Sequence, residues 1–415
     1  MQFTALYADT KGEIYDAPGY QAVGRNGYDH AVLKPEDMIE LPAGAEVMYL
    51  PGRTALMAKK GQIEPLANSL LAVAAILPVG YTRTHLPAFN RQPAGPQLPL
   101  FGYTAVAAYK DKLYAAAVKT DENEKWHPHR YNTADIKNKV KQLSSRFTAN
   151  RLVEHLARCT LEWNCCTAQN LFYHRWEAGI PTSPACNANC FGCISLQPAE
   201  CCPSPQTRIQ FTPTPEEVAE LGIYHLGDAP EPIISFGQGC EGEPSLAAPV
   251  IAEAIRLIRA QTNSGIININ TNAGYTEGIR AIADAGLDSM RVSIISAVPD
   301  TYNAYYRANY QLENVIRSIA YAKERGVYVS LNLLLFPGLN DRPEELAAWV
   351  EFISQTKIDM VQLRNLNIDP DELLAIMPAS QGKPLGVRRF INVLAERFPQ
   401  LAIGNFSKYQ ILRGV

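Results

Sequence analysis

The feature that most constrains the fold is a regular alternation of apolar runs with helical patterns across the second half of the chain. The apolar runs are nearly continuous, as strands buried on both faces of a sheet are. They read PIISFGQG, GIININTN, SMRVSIIS, VYVSLNLLLF, DMVQLRNLNI and LAIGNF. Repeated strand–helix units predict a parallel sheet with right-handed crossovers. We expect an α/β architecture, a partial (β/α)6 TIM-like barrel over residues 180–405, with its chemistry at the C-terminal ends of the strands.

The first part of the chain has a different pattern. Residues 1–130 lack helical periodicity over most of their length, and FTALYADTKGEIYDAPG and YTAVAAYKDKLYAAAVKTD each indicate a β-hairpin. Apolar residues then recur at helical spacing over residues 131–179. The sequence therefore predicts a β-rich N-terminal domain (1–130), a helical connector (131–179), the barrel (180–405) and a C-terminal tail (406–415).

Composition excludes several classes of protein. The chain has 415 residues, 47% of them hydrophobic, and a net charge of −3, which suits two domains with a sizeable core. This charge gives no overall attraction to nucleic acid or anionic membranes. The longest apolar run, NSLLAVAAILPVG, is too short to span a bilayer, and the N-terminus has no signal-peptide pattern. We expect a soluble, cytoplasmic protein with no membrane partner.

The cysteines are clustered. All nine lie between Cys159 and Cys240, with none in the first 158 residues or the last 175. An odd number bunched in this way is not typical of a disulfide framework in a secreted domain. The clustering favours metal binding instead.

Three of these cysteines, Cys186, Cys190 and Cys193, follow the spacing C-x3-C-x2-C in a loop just before the barrel. One interpretation is a zinc site, but the remaining AECCP segment offers adjacent thiols rather than a second C-x2-C pair. Three thiolates on a [4Fe–4S] cluster would leave one iron open to another ligand. The spacing therefore favours an iron–sulfur cluster.

The same motif, in this context, resembles the radical S-adenosylmethionine (SAM) superfamily. EGEP at 241–244 follows the next strand, where the superfamily has a GGEP clamp on the SAM amino group. NTN (270–272), RVSIIS (291–296) and NLLLFPGLND resemble the strand ends that approach SAM, and QLRNLNI is similar to a strand of the molybdenum-cofactor cyclase and NifB-like branch. The resemblance implies that SAM is held by Gly242, Glu243, Pro244, Asn272 and Ser293.

Two positions depart from the superfamily pattern. The residue before the third cysteine is usually aromatic, whereas here it is Gly192 and the aromatic Phe191 stands one residue earlier. The clamp begins with Glu241 in place of glycine. This carboxylate is expected either to bind the SAM ammonium group or to face solvent.

The resemblance implies an enzyme in which a reduced [4Fe–4S] cluster cleaves SAM to methionine and a 5′-deoxyadenosyl radical that abstracts hydrogen from a substrate. A reductant such as ferredoxin or flavodoxin is the implied partner. The substrate is left open among a small molecule, a peptide and an RNA. Cys240, at a predicted strand end, is a candidate catalytic thiol that donates or accepts a hydrogen atom.

The remaining cysteines have two interpretations. Cys159 and Cys166 lie seven residues apart on one apolar helical face, where free cysteines pack well. The alternative is a second, auxiliary Fe–S cluster. Its candidate ligands are Cys159, Cys165 or Cys166, Cys201 or Cys202, and Cys240.

Two rival functions keep the same motifs. In one, the N-terminal domain recruits a peptide or RNA that the radical chemistry modifies. In the other, the chain is a non-catalytic zinc- or Fe–S-binding module, which leaves the GEP clamp unexplained.

Overall fold

The computed structural model describes residues 2–67, 69–98, 100–122, 124–196 and 206–412. Within these residues the N-terminal part forms one antiparallel sheet of twelve strands. The strands are β1 (Thr4–Ala8), β2 (Ile14–Asn26), β3 (Asp29–Val32), β4 (Met38–Glu40), β5 (Glu46–Lys59), β6 (Gln62–Pro65), β7 (Leu71–Ile76), β8 (Tyr81–Arg83), β9 (Leu86–Pro87), β10 (Phe89–Arg91), β11 (Tyr103–Tyr109) and β12 (Lys112–Lys119).

Both predicted hairpins are present. In the pairing of β1 with β2, Tyr7 lies opposite Tyr15. Strands β11 and β12 are joined by a two-residue turn that follows Tyr109. The long strand β5 pairs with both β2 and β7, and β1 pairs with β2, β7 and β11. The sheet therefore folds back on itself around a core rich in alanine.

Three helices follow the sheet: α1 (Ile136–Arg146), α2 (Arg151–Leu161) and α3 (Cys166–Tyr173). Their apolar faces join the main hydrophobic core through side chains such as Leu152, Leu156 and Leu171, all of them buried. None of the helices in the described ranges is long and apolar enough to cross a bilayer.

The second sheet confirms the α/β architecture. In the described residues it has seven parallel strands in sequential order, with no pairing between the first and last. These are β13 (Glu177–Gly179), β14 (Ile233–Phe236), β15 (Ile266–Thr271), β16 (Ser289–Ile294), β17 (Tyr328–Leu335), β18 (Met360–Asn365) and β19 (Ala402–Gly404). The barrel is therefore partial and open, as predicted, with β14 to β19 at the six predicted positions and β13 as an addition.

The helices of the barrel are amphipathic and lie between its strands. They are α4 (Pro215–Asp228), α5 (Ala248–Gln261), α6 (Thr276–Asp284), α7 (Pro299–Tyr306), α8 (Leu312–Glu324), α9 (Pro343–Thr356), α10 (Pro370–Ile376) and α11 (Val387–Arg397), with α12 (Tyr409–Leu412) after β19. The capping box that the sequence predicts at the start of α4 is formed by Thr214 and Glu217. The strands carry many buried Ile, Val and Leu side chains, as expected for a parallel sheet. These alternate with polar side chains that bond between strands, such as Ser235 with Asn268 and Asn270 with Arg291.

The N-terminal sheet packs on the barrel at the loops that follow β17 and β18. Asn26 donates to Asp341 after β17 (2.9 Å), and Arg53 forms a buried ion pair with Asp369 after β18 (3.0 Å). Arg83 donates to the carbonyl of Leu366. The sheet thus borders the C-terminal ends of these strands, where barrel proteins carry their sites.

Candidate functional site

A cavity of about 240 Å³ opens at the C-terminal ends of β14, β15 and β16. Seven of the predicted site residues line it: Cys186, Cys190, Cys193, Gly242, Glu243, Asn272 and Ser293. Pro244 is buried beside it and begins a short 3-10 helix, Pro244–Ala247. Residues from four separate stretches of sequence therefore meet at one place.

The three cysteines lie in the loop after β13, and this loop is fixed to the end of α7. The backbone N–H groups of Asn189 and Phe191 donate to the carbonyls of Tyr306 (3.0 Å) and Tyr305 (2.9 Å). All three thiols are free and half-buried. Burial raises the pKa of Cys190, so the positive charge of a bound metal is what would keep this sulfur ionised.

Gly192 has a steric reason to lack a side chain. A Cβ there would lie 2.4 Å from Cδ1 of Ile368 and 3.0 Å from the hydroxyl of Tyr305. The preceding Phe191 is half-buried, with the guanidinium of Arg307 5.5 Å from its ring centroid. Phe191 is not among the described residues that line the cavity. The aromatic ring is therefore absent from the position at which the superfamily pattern places it.

The clamp is held against the segment that leads into the cysteine loop. The N–H of Gly242 donates to the carbonyl of Ser183 (2.7 Å), and that of Glu243 donates to Ala185 (2.8 Å). A Cβ on Gly242 would lie only 2.0 Å from the Ala185 oxygen. This close approach requires glycine, because real Cβ atoms do not come so near a backbone oxygen.

The expectation that Glu241 faces solvent is wrong, whereas the expectation that it binds the SAM ammonium group stays a prediction. Its side chain is only 3% exposed, and its two carboxylate oxygens accept four backbone N–H groups, from Thr182, Ser183, Gly237 and Gln238, at 2.6 to 3.1 Å. Burial raises the pKa of Glu241 to about 7, although these donors oppose the shift. The carboxylate therefore ties the loop after β14 to residues 182–183 at the wall of the cavity and does not face solvent.

The carboxylate of Glu243 likewise supports the cavity wall. It accepts the N–H groups of Ser245 (3.0 Å) and Asn272 (2.8 Å) and the hydroxyl of Thr271. The side chain of Asn272 donates to Asn187 in the cysteine loop (2.7 Å). The ends of β14 and β15 and the cysteine loop are thus joined by polar contacts.

Two further residues on the cavity wall are not part of the predicted SAM-binding set. Arg208 lines the cavity and donates to Ser195 (3.1 Å) and to the sulfur of Cys193 (3.7 Å). No motif around Arg208 identifies it. Tyr306, the last residue of α7, is 2% exposed and lines the cavity. Its hydroxyl has no hydrogen-bond partner among the described residues.

Beneath the cavity, a buried ion pair crosses the barrel between Glu177 of β13 and Arg291 of β16 (3.2 Å). Arg291 also donates to Asn270, on the cavity wall, and to Ser407 (2.8 Å each). Burial alone would raise the pKa of Glu177, but Arg291 and Ser235 hold it below the ordinary value. Ser407 lies in the predicted tail, so that part of the tail packs into the barrel.

The other cysteines that the structure describes do not all lie in one group. Cys240 is 1% exposed and is not among the described residues that line the cavity, so the structure does not support a thiol facing the substrate. It lies instead beside Cys159 and His155 of α2. Cys166 lies outside that group, and Cys201 and Cys202 fall outside the described residues.

Within this buried pair the two thiols differ. Hydrogen bonding with Cys240, aided by His155, lowers the pKa of Cys159 to about 6. The same contact raises the pKa of Cys240. Cys165 is adjacent, since its backbone N–H donates to the carbonyl of Cys159 (3.0 Å).

A parallel barrel with three free cysteines and a cavity at its strand ends defines a class of metal- and cofactor-binding α/β barrels. Comparison with known families narrows this class. Residues 180–350 match the Radical SAM superfamily. The match lies within the barrel, and the curated relatives align with less than half of the chain.

The curated relatives are GTP 3',8-cyclases. That of Streptomyces coelicolor is 27% identical over 194 residues, which is 43% of this chain and 53% of the relative. That of Limosilactobacillus fermentum is 26% identical over 200 residues, 46% of this chain and 53% of the relative. The chain therefore spans about half the length of the curated relatives it matches.

Solved structures give more distant likenesses. A radical SAM methyltransferase from Sphaerobacter thermophilus is 18% identical with a TM-score of 0.41, covering 57% of this chain and 68% of that one. Methylornithine synthase is 17% identical with a TM-score of 0.39, covering 65% and 74%.

The residues at the cavity fit the cofactors of the superfamily, a [4Fe–4S] cluster and SAM. Cys186, Cys190 and Cys193 are free, face one cavity, and have Arg208 beside them to offset the charge of thiolates. A cluster ligated by three cysteines keeps one iron for another ligand. The backbone of Gly242 and Glu243 and the side chains of Asn272 and Ser293 border the same space.

Proposed function

We propose that the chain is a radical SAM enzyme that abstracts a hydrogen atom from a substrate still to be identified. The observation that carries this proposal is the meeting of the three cysteines and the GEP clamp in one cavity at the strand ends. When bound, the reduced cluster supplies the electron that cleaves SAM to methionine and a 5′-deoxyadenosyl radical. The electron comes from a reductant such as ferredoxin or flavodoxin.

The residues of the chain bind, orient and exclude water. Cys186, Cys190 and Cys193 would hold the cluster. The backbone at 242–244 would hold the amino group of SAM, with Asn272 and Ser293 as polar partners for the rest of the molecule. The strand side chains beneath the cavity are buried, including polar ones such as Asn268 and Arg291, and this burial keeps solvent away from a reactive radical.

The test is the formation of 5′-deoxyadenosine from SAM by anaerobic, reconstituted and reduced protein. We expect formation by the wild type and none by the C186A/C190A/C193A variant. The matched control is Cys166→Ser, a half-buried cysteine outside the cavity, which should retain formation. No 5′-deoxyadenosine from the wild type, with zinc in place of iron at these cysteines, would support a non-catalytic zinc module instead.

A second proposal concerns the substrate. The N-terminal sheet contacts the loops after β17 and β18 through Asn26, Arg53 and Arg83, which places it beside the strand ends. This placement supports recruitment of a peptide or RNA by the sheet, as well as a small molecule bound directly in the cavity. Surface substitutions on the sheet that abolish turnover of a substrate but spare 5′-deoxyadenosine formation would support recruitment.

A cytoplasmic location and an auxiliary Fe–S cluster are further parts of the proposal. Seven free cysteines in the described ranges suit a reducing compartment. Of the cysteines named for an auxiliary cluster, Cys159 and Cys240 meet in the structure.

A further inference from the structure

Three metal-binding side chains meet outside the cavity. In the described part of the chain, the ligand atoms of His155, Cys159 and Cys240 all lie within 4.8 Å of one another. The distance from Nε2 of His155 to Sγ of Cys159 is 3.6 Å. Cys159 and Cys240 are 0% and 1% exposed, and His155 is half-buried.

The fold brings these residues together before any ligand binds. His155 and Cys159 are four residues apart on α2, so they project from the same face of the helix. The neighbouring Leu152 and Leu156 fix that face in the core. Cys240 arrives from the loop after β14, where its carbonyl accepts the N–H of Ile209 (2.7 Å).

The spacing suits one ion rather than a cluster. A tetrahedral zinc ion has sulfur ligands at about 2.3 Å and nitrogen ligands at about 2.0–2.1 Å, which places neighbouring ligand atoms roughly 3.5–3.8 Å apart. The observed 3.6 Å between His155 and Cys159 falls in this range. Cysteines on a [4Fe–4S] cluster bind different irons and lie further apart than ligands that share one ion.

We propose that His155, Cys159 and Cys240 bind a single zinc ion. Two thiolates and an imidazole are ligands that zinc prefers, and three protein ligands leave a fourth position. The ion joins α2 to the loop after β14, whose residues Gly239 and Glu241 flank Cys240 and line the cavity. The site thereby fastens the helices that precede the barrel to the loop that carries the clamp.

This proposal replaces the auxiliary-cluster part of the proposed function and is independent of the part that concerns SAM cleavage. It replaces a cysteine with His155, a residue that the sequence did not single out. A chain that binds zinc here but forms no 5′-deoxyadenosine would overturn the function and retain the site. A chain that forms 5′-deoxyadenosine but holds no ion here would overturn the zinc site and retain the proposed function.

The test measures metal content in untagged, full-length protein that carries the C186A/C190A/C193A substitutions, so that iron at the cavity does not contribute. Expression in medium supplied with both zinc and iron should give about one zinc per chain. We expect at least a tenfold loss of zinc in H155A, C159S and C240S. Cys166→Ser, the matched control on a nearby thiol outside the group, should keep the zinc.

Two results would overturn the proposal. Iron and sulfide retained in this background at about four per chain, and lost in C159S, would establish an auxiliary cluster. Neither zinc nor iron in the background would make the three residues a hydrogen-bonded group in the core.

A second measurement does not depend on whether the ligand variants fold. X-ray absorption at the zinc edge, on wild-type protein with its cluster reconstituted, should show two sulfurs at about 2.3 Å and a nitrogen at about 2.0–2.1 Å. A spectrum with oxygen and nitrogen ligands alone would overturn the assignment, because it would describe zinc bound at a surface position.

Discussion

At the residue scale, the backbone around Gly242 leaves no room for a side chain. An added Cβ would lie 2.0 Å from the oxygen of Ala185, which directly precedes Cys186, so that either the clamp or the cysteine loop must move. We expect Gly242→Ala to weaken SAM binding by at least about tenfold, or about 1.4 kcal/mol. Calorimetric titration of the reconstituted protein with SAM measures this change.

The matched control for this prediction is Gly227→Ala. Gly227 lies in α4, and a Cβ there would meet nothing within 4 Å. Alanine in a helix is favoured over glycine by about 0.5–1 kcal/mol, so SAM affinity should be unchanged and the free energy of unfolding equal or higher. Equal SAM affinities for both variants would contradict the role given to Gly242.

The hydroxyl of Tyr306 is buried at the cavity with no partner in the described residues. An unpaired buried hydroxyl costs about 1–3 kcal/mol, and a ligand in the cavity can supply the missing bond. We therefore expect Tyr306→Phe to leave the free energy of unfolding of the ligand-free protein equal or higher. The same change should weaken SAM or substrate binding by roughly fivefold, from the loss of about 1 kcal/mol.

Thermal unfolding and SAM titration of the same Tyr306→Phe sample check both parts of this prediction. Tyr302→Phe is the control, since the hydroxyl of Tyr302 is already bonded to that of Tyr310 (3.2 Å). That control should lose stability instead. A Tyr306→Phe protein that is less stable and binds its ligands as the wild type does would show that the hydroxyl serves packing alone.

The sequence predicts the site residues that belong to a motif with a defined spacing. Cys186, Cys190 and Cys193 are recognisable because the ligands of this one site lie only a few positions apart in the sequence. Arg208 and His155 are not, since each acquires its partner through the fold: Cys193 for Arg208 and Cys240 for His155.

At the element scale, Glu217 links two helices. It completes the capping box of α4 with Thr214 and also pairs with Arg151 at the start of α2 (2.6 Å). The hydrogen bond from Arg151 lowers the pKa of Glu217 to about 2. A carboxyl with a depressed pKa stabilises the fold fully above its ordinary pKa of about 4.3, and this contribution is lost as the pH falls toward the folded-state value.

We therefore expect Glu217→Gln to lower the free energy of unfolding at pH 7, with the difference from the wild type shrinking between about pH 5 and pH 2. Urea unfolding of both proteins across this range measures it. Glu216→Gln is the control, because Glu216 is exposed in the same helical turn. A difference that stays constant with pH would contradict the prediction.

Elements with a long apolar run were predicted correctly, whereas one short element was not. The strands β14 to β19 lie at the six apolar runs, and Gly286 and Gly326 have positive φ just after α6 and α8, as C-terminal glycines do. Strand β13 has three residues, EAG, and no apolar run. It is a strand only because β14 pairs with it, which is a tertiary contact that no local pattern contains.

At the scale of the whole molecule, the N-terminal sheet and the barrel share one continuous hydrophobic core that runs from Phe3 to Leu394. The division of the chain into separate domains at residues 130 and 179 stays a prediction from composition. Polar contacts also join the N-terminal sheet to the barrel, and they include a buried ion pair and an exposed ion pair, both made to residues 369–372.

These two ion pairs allow a test of whether a buried electrostatic contact holds the sheet to the barrel. Arg53 and Asp369 are 0% and 3% exposed and lie 3.0 Å apart, and loss of one partner from a buried pair costs about 3–5 kcal/mol. We expect this loss of unfolding free energy in Asp369→Asn, which retains an oxygen for the N–H of Asp371 at the start of α10. Arg91→Gln is the control, since the Arg91–Glu372 pair is 32% and 41% exposed and should cost no more than about 1 kcal/mol. Guanidinium unfolding of the wild type and the two variants measures these losses. Equal losses of unfolding free energy in the two variants would contradict a buried electrostatic link between the sheet and the barrel.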